Sequence, residues 1–277
     1  MIETERGVPV LQQSAIALMT ACLMILTACQ AAATPGSEGT ATPTPNGEAT
    51  PMVVPTGDIV RMGDSVLLQA GQALVRRYEL ELGVRLNDRN WLNLDLPKYE
   101  ASGNVHGETS ADLLARLRTD EQLRTVLRDA DVILFDVPVG MLAELCPDPG
   151  VPAEELCFDR VVPGYRADAA AIFAEVAALR APEAIVRATD VWQFLGPTFH
   201  QAGTYDIART AWQAMNQAVA DAAAQYDIPL VHAYDLFSGP NGERDPVAAG
   251  DVEDDEVHLT PQGVQRFVEA FAALGFE

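Results

Sequence analysis

A serine, a histidine and an aspartate of this chain occupy positions from which they could carry out nucleophilic catalysis. Ser65 follows a short apolar run in the tripeptide Gly63-Asp64-Ser65. Asp255 precedes His258 by three residues, so in a loop its carboxylate can reach one imidazole nitrogen while the other nitrogen points outward. A base oriented in this way can take a proton from a serine hydroxyl, as acyl transfer requires.

The elements around Ser65 favour exposure of its hydroxyl. The run from Asp58 to Met62 predicts a strand, and residues 66–78, with apolar residues at intervals of three and four, predict a helix. In a parallel α/β sheet such a junction lies at the carboxyl edge, where ligands bind, and Gly63 permits the sharp turn. The helix N-terminus also favours an oxyanion. Taken alone, Gly-Asp-Ser before a helix is most often an ordinary turn with a capping Ser or Asp.

The rest of the chain predicts strands that alternate with helices. A second strand is expected at 84–86 or at 91–96, on either side of the polar residues 87–90, and a long helix from 111 to about 128 has Thr109 or Ser110 as its N-cap. The remaining predicted elements are strands at 131–137, 184–192 and 230–234, and helices at 165–180, at 205–225 and from about Pro261. The fold class is therefore α/β, with a single doubly wound, flavodoxin-like sheet of five parallel strands and helices on both faces.

The first 29 residues resemble a bacterial lipoprotein signal peptide. Ser14–Leu26 is an uncharged, mostly apolar run, and the tetrapeptide Leu26-Thr27-Ala28-Cys29 that closes it resembles the lipobox. The resemblance implies export and a lipid anchor on Cys29 at the outer face of the cell membrane. An uncleaved signal anchor or a wrongly assigned start codon is the alternative, because Arg6 is the only basic residue before the apolar run.

A tether and one globular domain are expected to follow. Residues 30–56 consist mainly of Ala, Thr, Pro, Gly and Ser, and they cannot bury enough apolar surface to fold. Residues 57–277 are long enough for one α/β domain. The formal net charge of -22 repels phosphate backbones and argues against a nucleic-acid partner.

Two cysteines would remain in the mature globular domain. Cys146 and Cys157 flank a proline-rich loop, and in an exported protein a disulfide between them is favoured over two free thiols. No histidine cluster stands beside them, so a zinc site is not expected. The sequence predicts no other metal site.

Three short motifs resemble blocks of the SGNH or GDSL-type hydrolases and occur in the same order as in that family. The similarity covers about residues 58–277, nearly all of the expected globular part. The motifs, which match the first, second and fifth blocks, are Gly63-Asp64-Ser65, Gly107-Glu108-Thr109-Ser110 and Asp255-Glu256-Val257-His258.

The resemblance implies a role for each matching residue. Ser65 would be the nucleophile, His258 the base and Asp255 its orienting partner. The backbone N–H groups of Ser65 and Gly107 would be two donors of the oxyanion hole.

The third oxyanion donor of the family is absent. Family members usually supply it from an asparagine in a Gly-x-Asn-Asp block after the central strand, which aligns here with Pro138-Val139-Gly140-Met141. Such a donor is worth about a hundred- to a thousandfold in rate. Three outcomes are open: another group replaces it, with the Asn104 side chain and the Gly140 N–H as candidates, the enzyme is slow, or the domain no longer catalyses.

The resemblance thus implies an exported serine hydrolase for a small-molecule carboxylic ester, whether a short-chain ester, an acetylated carbohydrate or a lipid. We expect a monomer that needs no cofactor and meets the membrane through its lipid anchor. The alternative is a non-catalytic binding module of the cell envelope on a degenerate fold of the same kind. Elsewhere, His232 is expected to be a core histidine of a central strand, and Trp192 and Phe194 either wall a pocket or cap the core.

Overall fold

The computed structural model describes residues 54–90, 109–140 and 158–277. All of them belong to the unit that spans Met52–Glu277. Several predictions lie outside the described residues: the leader with Cys29, most of the tether, Asn104, Gly107, and the pair Cys146 and Cys157.

The described residues form one parallel sheet of five strands. The strands are β1 (Thr56–Met62), β2 (Arg85–Asn90), β3 (Val132–Asp136), β4 (Ile185–Thr189) and β5 (Leu230–Val231). Their order in the sheet is β2-β1-β3-β4-β5, and every neighbouring pair is parallel. This order is that of the flavodoxin-like doubly wound fold, so the predicted fold class is confirmed.

Helices follow the strands along the described residues. They are α1 (Ser65–Leu82), α2 (Ser110–Thr119), α3 (Glu121–Asp129), α4 (Phe158–Leu179), α5 (Gly196–Ala202), α6 (Tyr205–Gln225), α7 (Ala233–Ser238) and α8 (Pro261–Ala273). None of them combines the length and apolar character that crossing a membrane requires.

The central strand β3 is buried on both faces of the sheet. Because side chains alternate along a strand, Val132 and Leu134 lie in a cluster with residues of α1 and α8, and Ile133 and Phe135 lie in a second cluster with residues of α2, α4 and α6. Phe135 meets Phe173 of α4 edge to face, with ring centroids 4.8 Å apart. Helices therefore cover both faces, as the uninterrupted apolar run of β3 predicts.

The second strand begins within the first predicted segment, 84–86, but extends beyond it to Asn90. The polar residues 87–90, expected to interrupt it, are part of β2. Within the described part of the chain, β2 is an edge strand that pairs with β1 alone, and most of its side chains are exposed, so polar residues are tolerated there. One of them, Asp88, accepts two hydrogen bonds from the buried Arg61 of β1, at 2.9 and 2.7 Å.

The helix expected at 111–128 is two helices. Asp120 interrupts it, because its side chain accepts hydrogen bonds from the backbone N–H groups of Gln122 and Leu123 and so caps a new helix. Thr109 is the N-cap of α2, one of the two predicted alternatives. Between β4 and α6 lies the short helix α5, which has a proline in its first turn.

Candidate active site

Ser65 is the first residue of α1, at the carboxyl end of β1. Its N–H is one of the groups that an α-helix leaves without an intrahelical partner. Asp64 is the N-cap, and its side chain accepts a hydrogen bond from the N–H of Val66 at 3.0 Å. Gly63 has φ +133°, and an added Cβ would lie 2.3–2.5 Å from the carboxyl group of Asp136. The turn that presents Ser65 therefore requires glycine.

Asp136 is a residue of this site that the sequence did not reveal. It ends β3, is 2% exposed, and its two carboxyl oxygens lie 3.1 and 3.2 Å from the backbone N of Asp64, which donates to them. An acidic residue at the end of an otherwise apolar strand was the only available signal.

Burial at this turn raises the pKa of Asp64. Hydrogen bonds from Val66 and Asp136 and the charge of His258 lower it again but do not cancel the effect of burial. His258 is thus within electrostatic range of the residue that precedes Ser65.

The carboxyl edge holds further buried acidic groups. Tyr165 of α4 donates a hydrogen bond from its hydroxyl to the carbonyl of Val137 at 3.0 Å. Burial, followed by the charges of Asp136, Asp64 and Asp190, raises the pKa of Tyr165 well above its usual value. In the described residues, no three potential ligands are grouped as a metal site would require.

Asp255 and His258 belong to a tight hairpin before α8. Val252 and Leu259 form an antiparallel bridge across it, and the N–H of Glu253 donates to the carbonyl of His258 at 2.7 Å. One oxygen of the Asp255 carboxylate accepts hydrogen bonds from the N–H groups of Val257 and His258, each at 2.9 Å. The other oxygen lies 2.6 Å from Nδ1 of His258. The predicted contact between this carboxylate and this imidazole is present.

Asp255 is held in its ionised form. Burial raises its pKa, but the hydrogen bonds from the backbone and imidazole of His258 and from the N–H of Val257 outweigh burial and leave the pKa below its ordinary value. A carboxylate in contact with Nδ1 favours the proton on that nitrogen, which leaves Nε2 as the hydrogen-bond acceptor. The side chain of His258 is 45% exposed, so its imidazole is accessible to a ligand from solvent.

A glutamine of α1 connects the serine helix to the histidine hairpin. Nε2 of Gln69 donates to the carbonyl of Leu259 at 2.6 Å, and the N–H of Leu259 donates to Oε1 of Gln69 at 2.8 Å. Leu259 follows His258 directly, and Gln69 lies one helical turn after Ser65. No sequence signal distinguished this glutamine from others.

Glu256 anchors the hairpin on its other side. Its carboxylate accepts hydrogen bonds from the N–H and hydroxyl of Thr198 in α5, both at 3.1 Å. Its carbonyl accepts from the N–H of Leu195 at 3.2 Å. Glu256 and Leu195 both have positive φ, +62° and +58°. Strained backbone of this kind persists where the surrounding contacts impose it, and it is common at functional sites.

The oxyanion hole is described only in part. Thr109 and Val139 form an isolated bridge, so the start of α2 lies beside the segment that leads to Gly140. Gly140 itself is partly exposed at the end of a described range. The two other candidate donors, Gly107 and Asn104, lie outside the described residues.

The structure places His232, Trp192 and Phe194. The prediction for His232 is wrong: β5 ends at Val231, and His232 lies beyond it with a side chain that is 57% exposed and bonded through Nδ1 to Asp190 at 3.2 Å. Trp192 belongs to the core, with 1% exposure. Phe194 packs against Trp212, with centroids 4.5 Å apart.

A cavity among the described residues lies away from this chemistry. It measures about 750 Å³ and lies between the first turns of α4 and α6, with Phe158, Val162 and Ile207 in its lining. Its lining includes neither Ser65 nor His258. Hydrogen-bond geometry, rather than cavity size, therefore identifies the candidate active site.

Comparison with known proteins supports the fold. No family model matches the chain, and no curated protein matches its sequence. Axe2, an acetylxylan esterase from Geobacillus stearothermophilus, matches with a TM-score of 0.54 and 16% identity over 81% of this chain and 96% of that chain. The lipase Lip_vut3 from a goat rumen metagenome matches with a TM-score of 0.54 and 14% identity over 79% of this chain and 97% of that chain.

A third solved structure agrees with these two. LAE5, an alpha/beta hydrolase enzyme from the metagenome of Lake Arreo in Spain, matches with a TM-score of 0.53 and 16% identity, over 80% of this chain and 96% of that chain. At such identities the similarity concerns the fold. The fold implied by the resemblance to SGNH-type hydrolases is thus confirmed.

Proposed function

We propose that this protein is a serine ester hydrolase that acts through Ser65, His258 and Asp255. The hydroxyl oxygen of Ser65 attacks the ester carbonyl while Nε2 of His258 takes the hydroxyl proton. The imidazolium, stabilised by Asp255, then gives that proton to the departing alcohol and leaves an acyl-enzyme. Water activated by the same imidazole releases the acid and restores Ser65.

The observation that carries the proposal is the 2.6 Å contact between the Asp255 carboxylate and Nδ1 of His258. This contact orients a half-exposed imidazole, keeps Nε2 free of the ring proton and provides a negative charge beside the imidazolium that forms during attack. The influence of His258 on the pKa of Asp64 supports its proximity to the serine turn. An aspartate–histidine pair with a purely structural role would not need a serine at a helix N-terminus nearby, whereas a catalytic pair does.

The oxyanion would be held by the backbone N–H groups of Ser65 and Gly107. Gly140 occupies the position where the family has an asparagine, so its N–H, or the side chain of Asn104, is proposed as the third donor. With two donors only, the rate would be lower by about a hundred- to a thousandfold.

The substrate class is proposed from the neighbours in fold. One of them is an acetylxylan esterase and another is a lipase. Acetylated carbohydrates and lipid esters are therefore the first substrates to test, with short-chain aryl esters as a general probe.

The decisive experiment combines ester hydrolysis with covalent labelling by a fluorophosphonate. We expect the wild-type protein to hydrolyse short acyl esters and to be labelled, and Ser65→Ala to do neither. Asp255→Asn should reduce kcat by about 10³- to 10⁴-fold, because the imidazole loses its orienting charge. Asp254→Ala, an exposed acid of the same hairpin, is the matched control and should retain activity. Equal inertness of wild type and Ser65→Ala on a broad ester panel would refute catalysis.

The second candidate function is a non-catalytic binding module of the cell envelope. Gly140 in place of the family asparagine is the observation that favours it. The two candidates differ in the state of the serine, because a binding module has an unactivated hydroxyl. Absence of fluorophosphonate labelling, together with retained binding to cell-envelope carbohydrate, would favour this second candidate.

We propose that the protein is exported and anchored through a lipid on Cys29. Metabolic labelling with a radioactive fatty acid should mark the wild-type chain and not Cys29→Ala. For Cys146 and Cys157 we propose a disulfide, which thiol titration with and without reductant tests. For the purified protein we expect a monomer in size-exclusion chromatography with light scattering.

A further inference from the structure

Gln69 binds the peptide backbone of a single distant residue with both ends of its side-chain amide. The donor end meets the carbonyl of Leu259 at 2.6 Å, and the acceptor end meets the N–H of Leu259 at 2.8 Å. The two residues are 190 positions apart in the chain. Because the same side-chain amide donates one hydrogen bond and accepts the other, the two bonds together fix the position of α1 relative to the segment that contains Leu259.

The two connected segments carry the proposed nucleophile and the proposed base. Gln69 follows Ser65 by four residues in α1, and residues four apart lie on the same face of a helix. The N–H group that donates to Gln69 belongs to the peptide bond between His258 and Leu259. The side chain of Gln69 therefore reaches from the serine helix to within two covalent bonds of the histidine Cα.

We infer that Gln69 is a positioning residue of the proposed ester hydrolysis, which holds the backbone at His258 in register with the first turn of α1. The inference rests on the proposed function. Gln69 touches neither substrate nor the reacting atoms, and it acts through the hairpin. Because an error of about 1 Å in the position of a catalytic group can cost about a hundredfold in rate, such a connection is expected to affect kcat.

The fold has other means of holding α1 and α8 together. Leu67 and Leu74 of α1 lie in one buried cluster with Phe267 and Phe271 of α8. Gln69, by contrast, is an exposed residue of α1. Its loss removes hydrogen bonds at the edge of this packing and leaves the packing itself intact. We therefore expect the hairpin to move while the domain remains folded.

The variants that test this inference are Gln69→Met and Gln69→Glu. Methionine nearly preserves the size of the side chain but can make neither hydrogen bond. Glutamate keeps the acceptor for the N–H of Leu259 and, when ionised, lacks the donor for the carbonyl of Leu259. The matched control is Gln72→Met, which makes the same substitution at an exposed position of the same helix.

If the wild type hydrolyses esters, Gln69→Met should lower kcat by about ten- to a hundredfold and leave KM within twofold of the wild-type value. Gln69→Glu should lie between wild type and Gln69→Met, and Gln72→Met should equal wild type. The denaturation midpoints should change little. Full kcat in Gln69→Met would overturn the inference, and so would a loss of kcat that merely follows a loss of folded protein.

Amide hydrogen exchange of Leu259 gives a readout that does not depend on activity. Its N–H should exchange at least tenfold faster in Gln69→Met than in Gln72→Met, whereas the N–H groups of β3 keep their protection. Unchanged exchange at Leu259 would overturn the inference. If the wild type is inert on esters and Leu259 still loses protection in Gln69→Met, the proposed function fails and the role of Gln69 in placing the hairpin stands.

Discussion

The hairpin that carries Asp255 and His258 should depend on one buried carboxylate, that of Asp251. Asp251 is 0% exposed, and one of its oxygens accepts hydrogen bonds from both Arg244 and Arg266. Its other oxygen accepts from the side chain of Gln262 at 3.1 Å. Its backbone carbonyl accepts the N–H of Thr260 at 2.9 Å, which closes the base of the hairpin. The substitution Asp251→Ala removes the carboxylate that Arg244, Arg266 and Gln262 share and leaves the backbone contact with Thr260 in place.

The magnitude follows from the burial of the partners. Removing one partner of a buried ion pair costs about 3–5 kcal/mol, because the remaining charge is left unpaired. The side chains of Arg244 and Arg266 are each 33% exposed, so water can solvate them in part. We therefore expect the lower end, a loss of about 3 kcal/mol in the free energy of unfolding. For a domain of this size that corresponds to a fall in Tm of about 6–12 °C.

The assay is urea denaturation followed by circular dichroism, with Asp254→Ala as control. Asp254 is an exposed acid of the same hairpin, so its removal should change stability by less than about 0.5 kcal/mol. Asp251→Asn keeps an acceptor for the arginines without the charge and should lie between the two. If Asp251→Ala lowers the free energy of unfolding by less than about 1 kcal/mol, and by no more than the control does, the view that this carboxylate holds the hairpin is refuted.

Three further predictions concern the turn and the carboxyl edge. Gly63→Ala should destabilise the domain by about 2–4 kcal/mol in denaturant melts, because positive φ and contact with Asp136 both oppose a Cβ. Tyr165→Phe should cost about 1–2 kcal/mol in the same assay, because a buried carbonyl loses its donor. The hydrogen bond to Asp190 raises the pKa of His232 above its ordinary value of 6.5. The protonated imidazole therefore stabilises the folded state fully below about pH 6.5, and this contribution is lost as the pH rises through the raised pKa of His232. The stability difference between wild type and His232→Gln should narrow over that window, whereas a constant difference would contradict the linkage.

The fold was largely predictable because its signals are local. Periods of three to four and apolar runs specify helices and buried strands within windows of a few residues. The fully buried β3 and the helix at 205–225 were predicted within a residue or so of their observed bounds. The prediction failed where contacts with other elements determine the local structure. Residues 87–90 form a strand because β1 pairs with them, and β5 is short because the chain turns into α7.

The site divides in the same way. Asp255 and His258 are three residues apart, so their contact could be expected from their spacing in a loop. Asp136 lies 72 residues from Asp64, and Gln69 lies 190 residues from Leu259. No local sequence pattern predicts contacts between residues so far apart in the chain.

By itself, the sequence determined which residue types could do chemistry, the order of strands and helices, and the local pairing of a carboxylate with an imidazole, because each depends on neighbours along the chain. Only the tertiary structure decided which side chains hold the serine turn and the histidine hairpin in place. Asp136, Asp251 and Gln69 acquire these roles by packing, since a hydrogen bond is specified by distance and direction in space and not by separation in sequence.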